Sequence, residues 1–489
     1  IQSGGQGLLR IQASGSVFSN QVSIAENIGS YGAVEIDGSG SIWQANRSLV
    51  VGENGTGSII VTQTGRMITS ALGLIATADP VVVANGLTSV GTVEIRGVGS
   101  SWTNYNEIFI AEEGQGNVSV TEGGLIISKG VELARTASSR ANVLVDGTGS
   151  TWIIQDDPLT VSDDDAGAQR GGFAEFKVAN SASVLVQNND INVASRGTLT
   201  MAGGFVQAGN LVTPNALNNT GIVRGFGRID ANLVNNATGQ VRVGVDEVLT
   251  LGYAVANSGL IDVHGGEFEA VGLSTNAVNT GMISGQDAVY RFATSIPASV
   301  GLTNNGSMAF TRLDHGRSDI YGDVTNTTTG QLVVTDNSTL TLHDDLVNNG
   351  QITVTGNGVF QAPGNSTLIV LGAASGTGGA AGGGDILFLG DLRPGNSPAT
   401  VVYQNSVYFG PASTLQMELG GTVPGLQYDQ VHVLGSLFLN GTLDVTLING
   451  FQPASGHSFD ILDWQSLGGQ FHTLSLPTLS AGLLWNSSL

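Results

Sequence analysis

Cysteine is absent from the 489-residue chain, and lysine occurs at only two positions, Lys129 and Lys177. Without cysteine the protein can have no disulfide framework, no thiol chemistry and no cysteine-ligated metal site. The 17 basic residues are outnumbered by 39 acidic ones, which gives a formal net charge of −22. Because a nucleic-acid-binding protein needs a cationic surface, this balance excludes nucleic acid as a partner and disfavours anionic membranes.

Long apolar runs and targeting segments are also missing. The longest apolar stretch, near residues 366–374, is about half of the roughly 20 residues that a transmembrane helix requires. The first residues, IQSGGQGLLR, contain neither a basic nor an apolar segment, so we expect any signal peptide to lie outside this sequence. We expect an extracellular or cell-surface location, without membrane insertion of this segment.

Glycine is plentiful, at 72 residues, and 41% of the residues are hydrophobic, whereas only 11% are charged. A disordered chain would show the opposite balance. The hydrophobic residues alternate with polar ones in short runs such as Val-Glu-Ile and Val-Ser-Val, between glycine-rich corners. This is the period of β-strands bounded by turns, so the sequence predicts an all-β fold.

One ten-residue sequence motif occurs three times in the N-terminal part of the chain. It ends at Trp43, Trp102 and Trp152 and reads VEIDGSGSIW, VEIRGVGSSW and VLVDGTGSTW. Each repeat, of about 50–60 residues, holds two strand-and-corner coils that cannot bury an apolar face alone, so residues 1–204 are predicted to form a β-solenoid. We expect the tryptophans to fill the space between coil and corner; the alternative is an aromatic platform for glycans.

A shorter repeat of about 22 residues follows over residues 205–375. Its coils share an apolar, asparagine-rich, glycine and strand pattern, as in LVNNATGQVRV, VANSGLIDV and LVNNGQITV. Asparagine tolerates left-handed backbone geometry, so regular corners are expected here. We also hypothesise that asparagine side chains stack into a ladder.

A glycine-rich segment at 376–384 is predicted to be a flexible crossing between modules. Beyond it, residues 385–489 contain longer alternating strands such as TLQMELGG and DQVHVLGSLFLNGTLDVTLING. They are predicted to form a terminal cap, either a β-sandwich-like module or a widened end-coil.

Two groups of residues are weak candidates for chemistry. The first is an acidic cluster, whose carboxylates are the ligands that Ca²⁺ prefers; the alternative is a solvated loop. Its members are Asp156, Asp157, Asp163, Asp164 and Asp165. The second group could serve a polysaccharide hydrolase or lyase if successive coils bring its members together; the alternative is charged, water-facing corners. This group consists of Asp314, His315, His343, Asp344 and Asp345.

The C-terminal part of the chain resembles the end of large bacterial exoproteins with autotransporter-type β-strand repeats. The resemblance lies in the sequence GDLRPGNSPATVV at 390–402, followed by STLQMELGG and YDQVHVLGSLFLNGTLDVTLINGF. The phrases GENGTGSIIV and DGTGSTW resemble passenger repeats of that group, which includes exoproteins with a C-terminal sorting segment of the PEP-CTERM kind. The resemblance implies a right-handed parallel β-helix at the bacterial cell surface. An autotransporter would continue into a membrane-inserted domain, so we expect a released passenger or a relative whose sorting segment lies outside this sequence.

These features favour a non-enzymatic extracellular structural protein, such as a subunit of a surface fibre, filament or surface layer that self-associates head-to-tail through its solenoid ends. One alternative is an adhesin that binds cell-surface glycans, and another is a polysaccharide lyase or hydrolase built on a β-helix. No catalytic residue and no cofactor is predicted, apart from the weak calcium candidate.

Overall fold

The computed structural model describes residues 4–70, 80–163, 171–210, 212–292, 300–395 and 398–487. Over these ranges the chain forms β-strands and no helix, and the strands pair in parallel with the strand three places further along the chain. Each coil therefore adds one strand to each of three ladders, which is the architecture of a β-solenoid. Within the described ranges no helix could span a membrane. The predicted all-β solenoid is thereby confirmed.

The residues cluster into two compact units. Unit 1 comprises Ile1–Val243 and Glu247–Val255, and unit 2 comprises Gly244–Asp246 and Ala256–Leu489. This division coincides with none of the boundaries predicted at residues 204, 375 and 384.

In unit 1 the strands of the first ladder are Gln6–Ile11, Tyr31–Asp37, Thr56–Thr62, Val90–Arg96, Gln115–Thr121, Arg140–Asp146, Phe173–Ala179, Gly197–Ala208, Ile222–Asp230 and Gln240–Val243. The second ladder contains Ser16–Ser19, Ile42–Ala45, Arg66–Thr69, Ser101–Asn104, Leu125–Ser128, Thr151–Ile154, Ser183–Val186 and Val248–Leu251. The third contains Val22–Ile24, Leu49–Val51, Val81–Val83, Glu107–Ile110, Gly130–Leu133, Leu159–Val161, Ile191–Val193, Ala216–Asn219 and Asn232–Asn235. The strands Gly197–Ala208 and Ile222–Asp230 continue from the first ladder into the second.

The three repeated tryptophans lie in the core of unit 1, on the inward side of the second ladder. Trp43, Trp102 and Trp152 are at most 2% exposed, so they are not available as a glycan platform. In the ladder register they alternate with smaller residues on the intervening coils: Val17, Met67, Ile126 and Val184. Because neighbouring strands are only about 4.8 Å apart, this alternation of large and small side chains lets the stack close.

Each indole N–H also finds a hydroxyl on the coil before it. Trp43 donates to Ser19 at 3.1 Å, Trp102 to Thr69 at 2.8 Å, and Trp152 to Ser128 at 3.0 Å. A coil that supplies the hydroxyl is therefore followed by a coil that supplies the tryptophan. This pairing and the size alternation explain why the repeat in the N-terminal part contains two coils.

A column of small residues lines the start of the first ladder in unit 1. Gly57, Gly91 and Gly116 share one register position with Ala141. A methyl group at Gly91 would lie 2.4 Å from the carbonyl oxygen of Val51 and 2.5 Å from the nitrogen of Ala84. Glycine is required there because the corner that follows the third ladder passes directly beneath the strand.

In unit 2 the first ladder contains Leu260–His264, Met282–Gln286, Ser307–Thr311, Gln331–Val334, Gln351–Val354, Ala380–Ala381, Thr400–Tyr403, Gln430–Leu439 and Leu462–Gly469. The second contains Glu267–Ala270, Val289–Phe292, Arg317–Tyr321, Thr339–Leu342, Thr367–Val370, Asp385–Phe388 and Ser406–Phe409. The third contains Val255–Asn257, Ala277–Asn279, Gly301–Asn304, Asp323–Asn326, Leu346–Asn348, Ala374–Gly376, Leu392–Pro394, Thr414–Leu419, Thr442–Leu447 and Thr473–Ser475.

Buried asparagines end successive strands of the third ladder in unit 2. The Nδ2 atom of each donates to the Oδ1 atom of the next at 2.7 or 2.8 Å. The series runs through Asn257, Asn279, Asn304, Asn326 and Asn348. Several members also donate to a backbone carbonyl of the following coil, as Asn304 does to Gln331 at 3.1 Å. The hypothesised asparagine ladder is confirmed, and it lies inside the solenoid at the corner.

The glycine-rich segment at 376–384 differs from the predicted crossing. It takes part in the strands Ala374–Gly376 and Ala380–Ala381, which pair with the coils on both sides. A methyl group at Gly379 would lie 1.8 Å from the carbonyl oxygen of Val402. The glycines allow close contact between coils.

Residues 385–489 continue the same three ladders with longer strands. Gln430–Leu439 and Leu462–Gly469 each continue from the first ladder into the second, and all their pairings are parallel. Of the two predicted forms of the C-terminal part, the widened coil describes these residues. Parallel pairing to the preceding coil leaves no second, facing sheet for a sandwich.

Candidate functional site

The candidate His343 lies on the outward side of the second ladder in unit 2. Parallel pairing places Glu269, Arg291 and Tyr321 at one register position on successive strands, and the amide of His343 bonds to the carbonyl of Ile320 beside Tyr321. Side chains at one register position stand about 4.8 Å apart. The corner after Thr339–Leu342 therefore adds an imidazole to a column that already holds a guanidinium and a phenol.

The members of this column contact one another closely. The guanidinium of Arg291 lies 4.1 Å from the ring centre of Tyr321, and the rings of Tyr321 and His343 stack with centres 3.9 Å apart. The Nε2 atom of His343 is 2.7 Å from Oδ1 of Asp319. We call Glu267, Glu269, Arg291, Asp319, Tyr321 and His343 the Arg-Tyr-His column.

The basic side chains of the Arg-Tyr-His column are paired with carboxylates of the same column. Arg291 pairs with Glu267 and lies 3.9 Å from Glu269. Burial lowers the pKa of Arg291, but the hydrogen bond to Glu267 and its charge outweigh burial, so the pKa is raised. Tyr321 is sandwiched between Arg291 and His343, which leaves its ring no free face for a sugar. The column therefore links coils together by stacking and ion pairing.

The other candidates for polysaccharide chemistry stabilise corners at separate places. The backbone amides of Asp314 and His315 donate to the carboxylate of Asp287 at 2.8 and 2.7 Å. Burial raises the pKa of Asp287, but these bonds outweigh it and lower the pKa overall. Asp344 accepts from the amide of Gly322 at 2.7 Å, and Asp345 accepts from the amide of Ala373 at 2.8 Å. The carboxylates do not converge on a shared groove.

The acidic cluster proposed for Ca²⁺ is only partly described. Asp164 and Asp165 lie outside the described residues. Asp157 pairs with Lys129 at 2.7 Å, and the neighbouring carboxyl of Glu107 has a raised pKa because of burial and the charge of Asp157. Over the described ranges, no group of three or more His, Asp or Glu side chains is placed to hold a metal ion. The calcium site remains a prediction.

An outward apolar column follows the Arg-Tyr-His column along the second ladder of unit 2. Ile369, Leu387, Tyr408 and Phe438 share one register position, and the ring of Phe360 lies 4.6 Å from that of Phe438. We call these five residues the apolar column. Their alternation with buried neighbours was visible in the sequence, but which side faced outward was not.

The last coil of unit 2 carries a cavity of about 540 Å³. Leu443, Val445 and Leu462 of the last strands line it together with Trp464 and Trp485. Polar side chains, among them His457 and Asp460, line it as well. A cavity of this volume is typical of a site that accepts a small molecule.

A buried carboxylate ties the strands beside this last coil. Asp429 is 2% exposed and accepts bonds from the amides of Ala399 and Glu418, both at 2.8 Å. Burial raises its pKa to about 6, against the opposing effect of these two bonds. No motif in the sequence signalled this residue.

The first coil of unit 1 exposes apolar side chains. Leu8, Leu9 and Phe18 are 53%, 40% and 68% exposed. Leu9 occupies the register position at which Val34 is buried in the next coil. The Leu9 position is therefore exposed in the first coil although the next coil buries it.

No family model and no curated protein matches the chain. A solved structure of a hyper-glycosylated TibA fragment, whose glycosylation is catalysed by TibC, aligns with 93% of this chain and 99% of its own length. The sequence identity is 12% and the TM-score is 0.29. At that distance the match carries no argument about function, and the fold rests on the strand pairings above.

Proposed function

We propose that this chain is a non-enzymatic extracellular structural protein whose copies assemble through the ends of the solenoid. The observation that carries the proposal is where its polar side chains are used. The asparagines, the Arg-Tyr-His column and the corner carboxylates are all bonded to neighbouring coils. These polar groups hold neighbouring coils together, as expected of a structural protein.

The location follows from composition and resemblance. The absence of cysteine and the net charge of −22 suit a protein that folds after export and stays soluble by charge repulsion. The phrases that resemble autotransporter-type exoproteins point to the bacterial cell surface.

Negative-stain electron microscopy and sedimentation velocity of the purified chain at several concentrations test the assembly. We expect filaments or chains whose length grows with concentration, because association through ends obeys mass action. Particles that stay monomeric at every concentration would contradict the proposal.

A panel of polysaccharides tests the non-enzymatic assignment. No release of oligosaccharides is expected, and His343→Ala should behave as the parent chain does. Degradation by the parent chain that is lost in His343→Ala would move the function to the Arg-Tyr-His column and overturn the assignment.

A glycan-binding adhesin is the second candidate, and the apolar column favours it. Tyr408 and Phe438 offer aromatic surface on successive coils, and the outward residues Thr367 and Ser436 supply hydroxyls two positions before the apolar column. A glycan array of the parent chain and Phe438→Ser tests this candidate, with Leu144→Ser, an outward leucine of unit 1, as the matched control. Binding that Phe438→Ser alone abolishes would establish the adhesin.

A further inference from the structure

We infer that the first coil of one copy docks on the last coil of another copy in a fixed register, with Leu9 opposite Leu462, Arg10 opposite Asp463 and Ile11 opposite Trp464. The inference rests on the proposed assembly through ends and names its interface. The partner is a second copy of this chain.

The first coil has an open edge in the part of the chain that the structure describes. Gln6–Ile11 pairs on one side, with Tyr31–Asp37. Leu9 is 40% exposed, whereas the two next residues at its register position, Val34 and Ile59, are 5% and 0% exposed. Leu9 is exposed because no strand precedes it in the ladder, whereas a preceding strand covers the same position in the later coils.

The last coil offers the matching edge, again among the described residues. Leu462–Gly469 pairs on one side, with Gln430–Leu439. Leu462 and Trp464 share register positions with the buried Val431 and Val433, and both line the 540 Å³ cavity together with residues of the segment 476–487. Leu462 is 5% exposed beside this segment, so the docking strand takes the place of part of it. An unpaired strand edge is suited to the addition of a strand.

Side-chain alternation fixes the register. A parallel strand that joins a ladder must place its inward residues over inward residues. Leu9 and Ile11 face inward with Arg10 between them, and Leu462 and Trp464 face inward with Asp463 between them. Stacking the two triplets places a guanidinium opposite a carboxylate.

Both charged side chains are free enough to meet. The side chain of Arg10 is 58% exposed beside Glu35, and that of Asp463 is 58% exposed beside His432. In the docked register the guanidinium of Arg10 lies between Glu35 of its own copy and Asp463 of the other.

The same register continues around the corner. On the second ladder Val17 is the inward residue of the first coil, and Leu467 shares a register position with the buried Leu437 in the last coil. Two residues separate Trp464 from Leu467 and five separate Ile11 from Val17, so the corner of the first coil is the wider one. Val17 then stands over Leu467, and Phe18 lies next to it at the edge of the contact.

The charge distribution selects this pair of surfaces. Residues 4–25 carry one charge, the positive Arg10, in a chain whose net charge is −22. Residues 394–489 contain no lysine or arginine, and their acidic residues are Glu418, Asp429, Asp444, Asp460 and Asp463. Most other pairings of two copies bring like charges together, which costs affinity.

Reciprocal charge reversal tests the register. Arg10→Glu and Asp463→Arg should each weaken self-association about tenfold or more, because like charges then meet at the junction. An equimolar mixture of the two variants should associate as the parent does, since both kinds of mixed junction then pair opposite charges. Sedimentation velocity of the full chain reads both results, and circular dichroism and thermal melting confirm folding.

Arg96→Glu and Glu113→Arg are the matched controls, because they make charge changes of the same kind on coils in the middle of unit 1, and Glu113 is exposed. They should leave association within about threefold of the parent. If the parent assembles but the junction variants assemble equally well, or their mixture stays dissociated, the register is overturned while the structural function stands. If the parent is monomeric at every concentration, the proposed function fails as well.

Discussion

Asn304 illustrates how much one buried polar side chain does in this solenoid. Its Nδ2 donates to Asn326 and to the carbonyl of Gln331, and its Oδ1 accepts from Asn279. Asn304→Ala leaves the Nδ2 of Asn279 and the Oδ1 of Asn326 without these partners in a buried place. We expect the free energy of unfolding to fall by about 2–4 kcal/mol, measured by urea denaturation.

Asn486→Ala is the control for this loss, because Asn486 is exposed. It should change the free energy of unfolding by less than about 0.5 kcal/mol. Equal effects of the two substitutions would mean that the ladder contributes nothing measurable.

Asp429 is expected to make unit 2 sensitive to pH. Burial raises its pKa from 3.8 to about 6, so the folded protein holds this proton more tightly than the unfolded chain. The resulting stabilisation is complete below about pH 3.8 and is lost as pH rises through about 6. When the pH is lowered from 7 to 5 we therefore expect larger protection factors, which are the intrinsic exchange rates divided by the observed ones, at the amides of Ala399 and Glu418.

Asp429→Asn should remove this pH dependence, because the amide does not titrate. The full contribution of the carboxyl is at most about 3 kcal/mol, from a shift of about two pKa units. Asp385, whose pKa burial also raises, acts in the same direction and remains in the variant. Protection factors that rise equally in both proteins would assign the effect to other groups.

At the scale of single residues, the sequence revealed repeated positions better than their partners. The asparagine ladder could be predicted because its members recur in one phrase. The hydroxyls that accept from the tryptophans could not, since Ser19, Thr69 and Ser128 stand on the other coil of each pair in unlike phrases. Asp429 gave no signal because burial depends on the coils around it.

The column of small residues that contains Gly91 lies close to the backbone of the corners. Gly91→Ala would place a methyl group within 2.4 Å of the carbonyl oxygen of Val51, so backbone must move. We expect a loss of about 2–4 kcal/mol in the free energy of unfolding. Thermal and urea denaturation measure it.

Gly7→Ala is the matched control, because Gly7 belongs to the same column and a methyl group there meets nothing within 4 Å. Its expected effect is close to zero or slightly stabilising. A similar loss for both variants would show that the corner contact does not decide the choice of glycine.

The bond between Trp102 and Thr69 joins two coils and is open to a double-mutant cycle. Trp102→Phe removes the donor and leaves a small cavity, while Thr69→Val removes the acceptor, which also donates to Asn104 at 2.9 Å. Each should cost about 1–3 kcal/mol in the free energy of unfolding. We expect a coupling energy of about 1 kcal/mol between them, and additive losses would contradict a direct bond.

At the scale of strands, period-two alternation and glycine corners were sufficient to predict the solenoid. They did not predict the structure of residues 376–384, because a glycine-rich sequence is compatible with either a flexible linker or closely packed strands. Gly379 and the strand Ala380–Ala381 show close packing, and only the position of the neighbouring coils decides between the two.

The whole molecule carries a net charge of −22, which should appear as a salt-dependent stability. Lowering the Debye length from about 30 Å at 0.01 M salt to about 8 Å at 0.15 M screens the repulsion among carboxylates. We expect the melting temperature to rise by a few degrees at pH 7. The rise should vanish near pH 4.4, the sequence pI, and a melting temperature that falls with salt at pH 7 would contradict this account.

The predicted boundaries follow changes of the sequence repeat, which is a different property from the division into compact units. The change from two-coil to one-coil repeats near residue 205 suggested a boundary, whereas the compact units divide at 244–256. A solenoid uses the same ladders whichever repeat it follows, so a change of sequence pattern need not mark a change of unit.

Coils that carry a buried tryptophan alternate with coils that carry its hydroxyl partner, and this alternation restricts the number of coils by which such a gene can lengthen or shorten. Removing one coil from the segment that contains Trp43, Trp102 and Trp152 would strand an indole beside another indole or a hydroxyl beside another hydroxyl. We therefore expect recombination there to preserve the fold only when it removes or adds an even number of coils. The asparagine ladder gives every coil the same neighbour, so that segment can grow or shrink by one coil at a time. Natural length variants are thus expected to differ by about 50–60 residues in one part and by about 22 in the other.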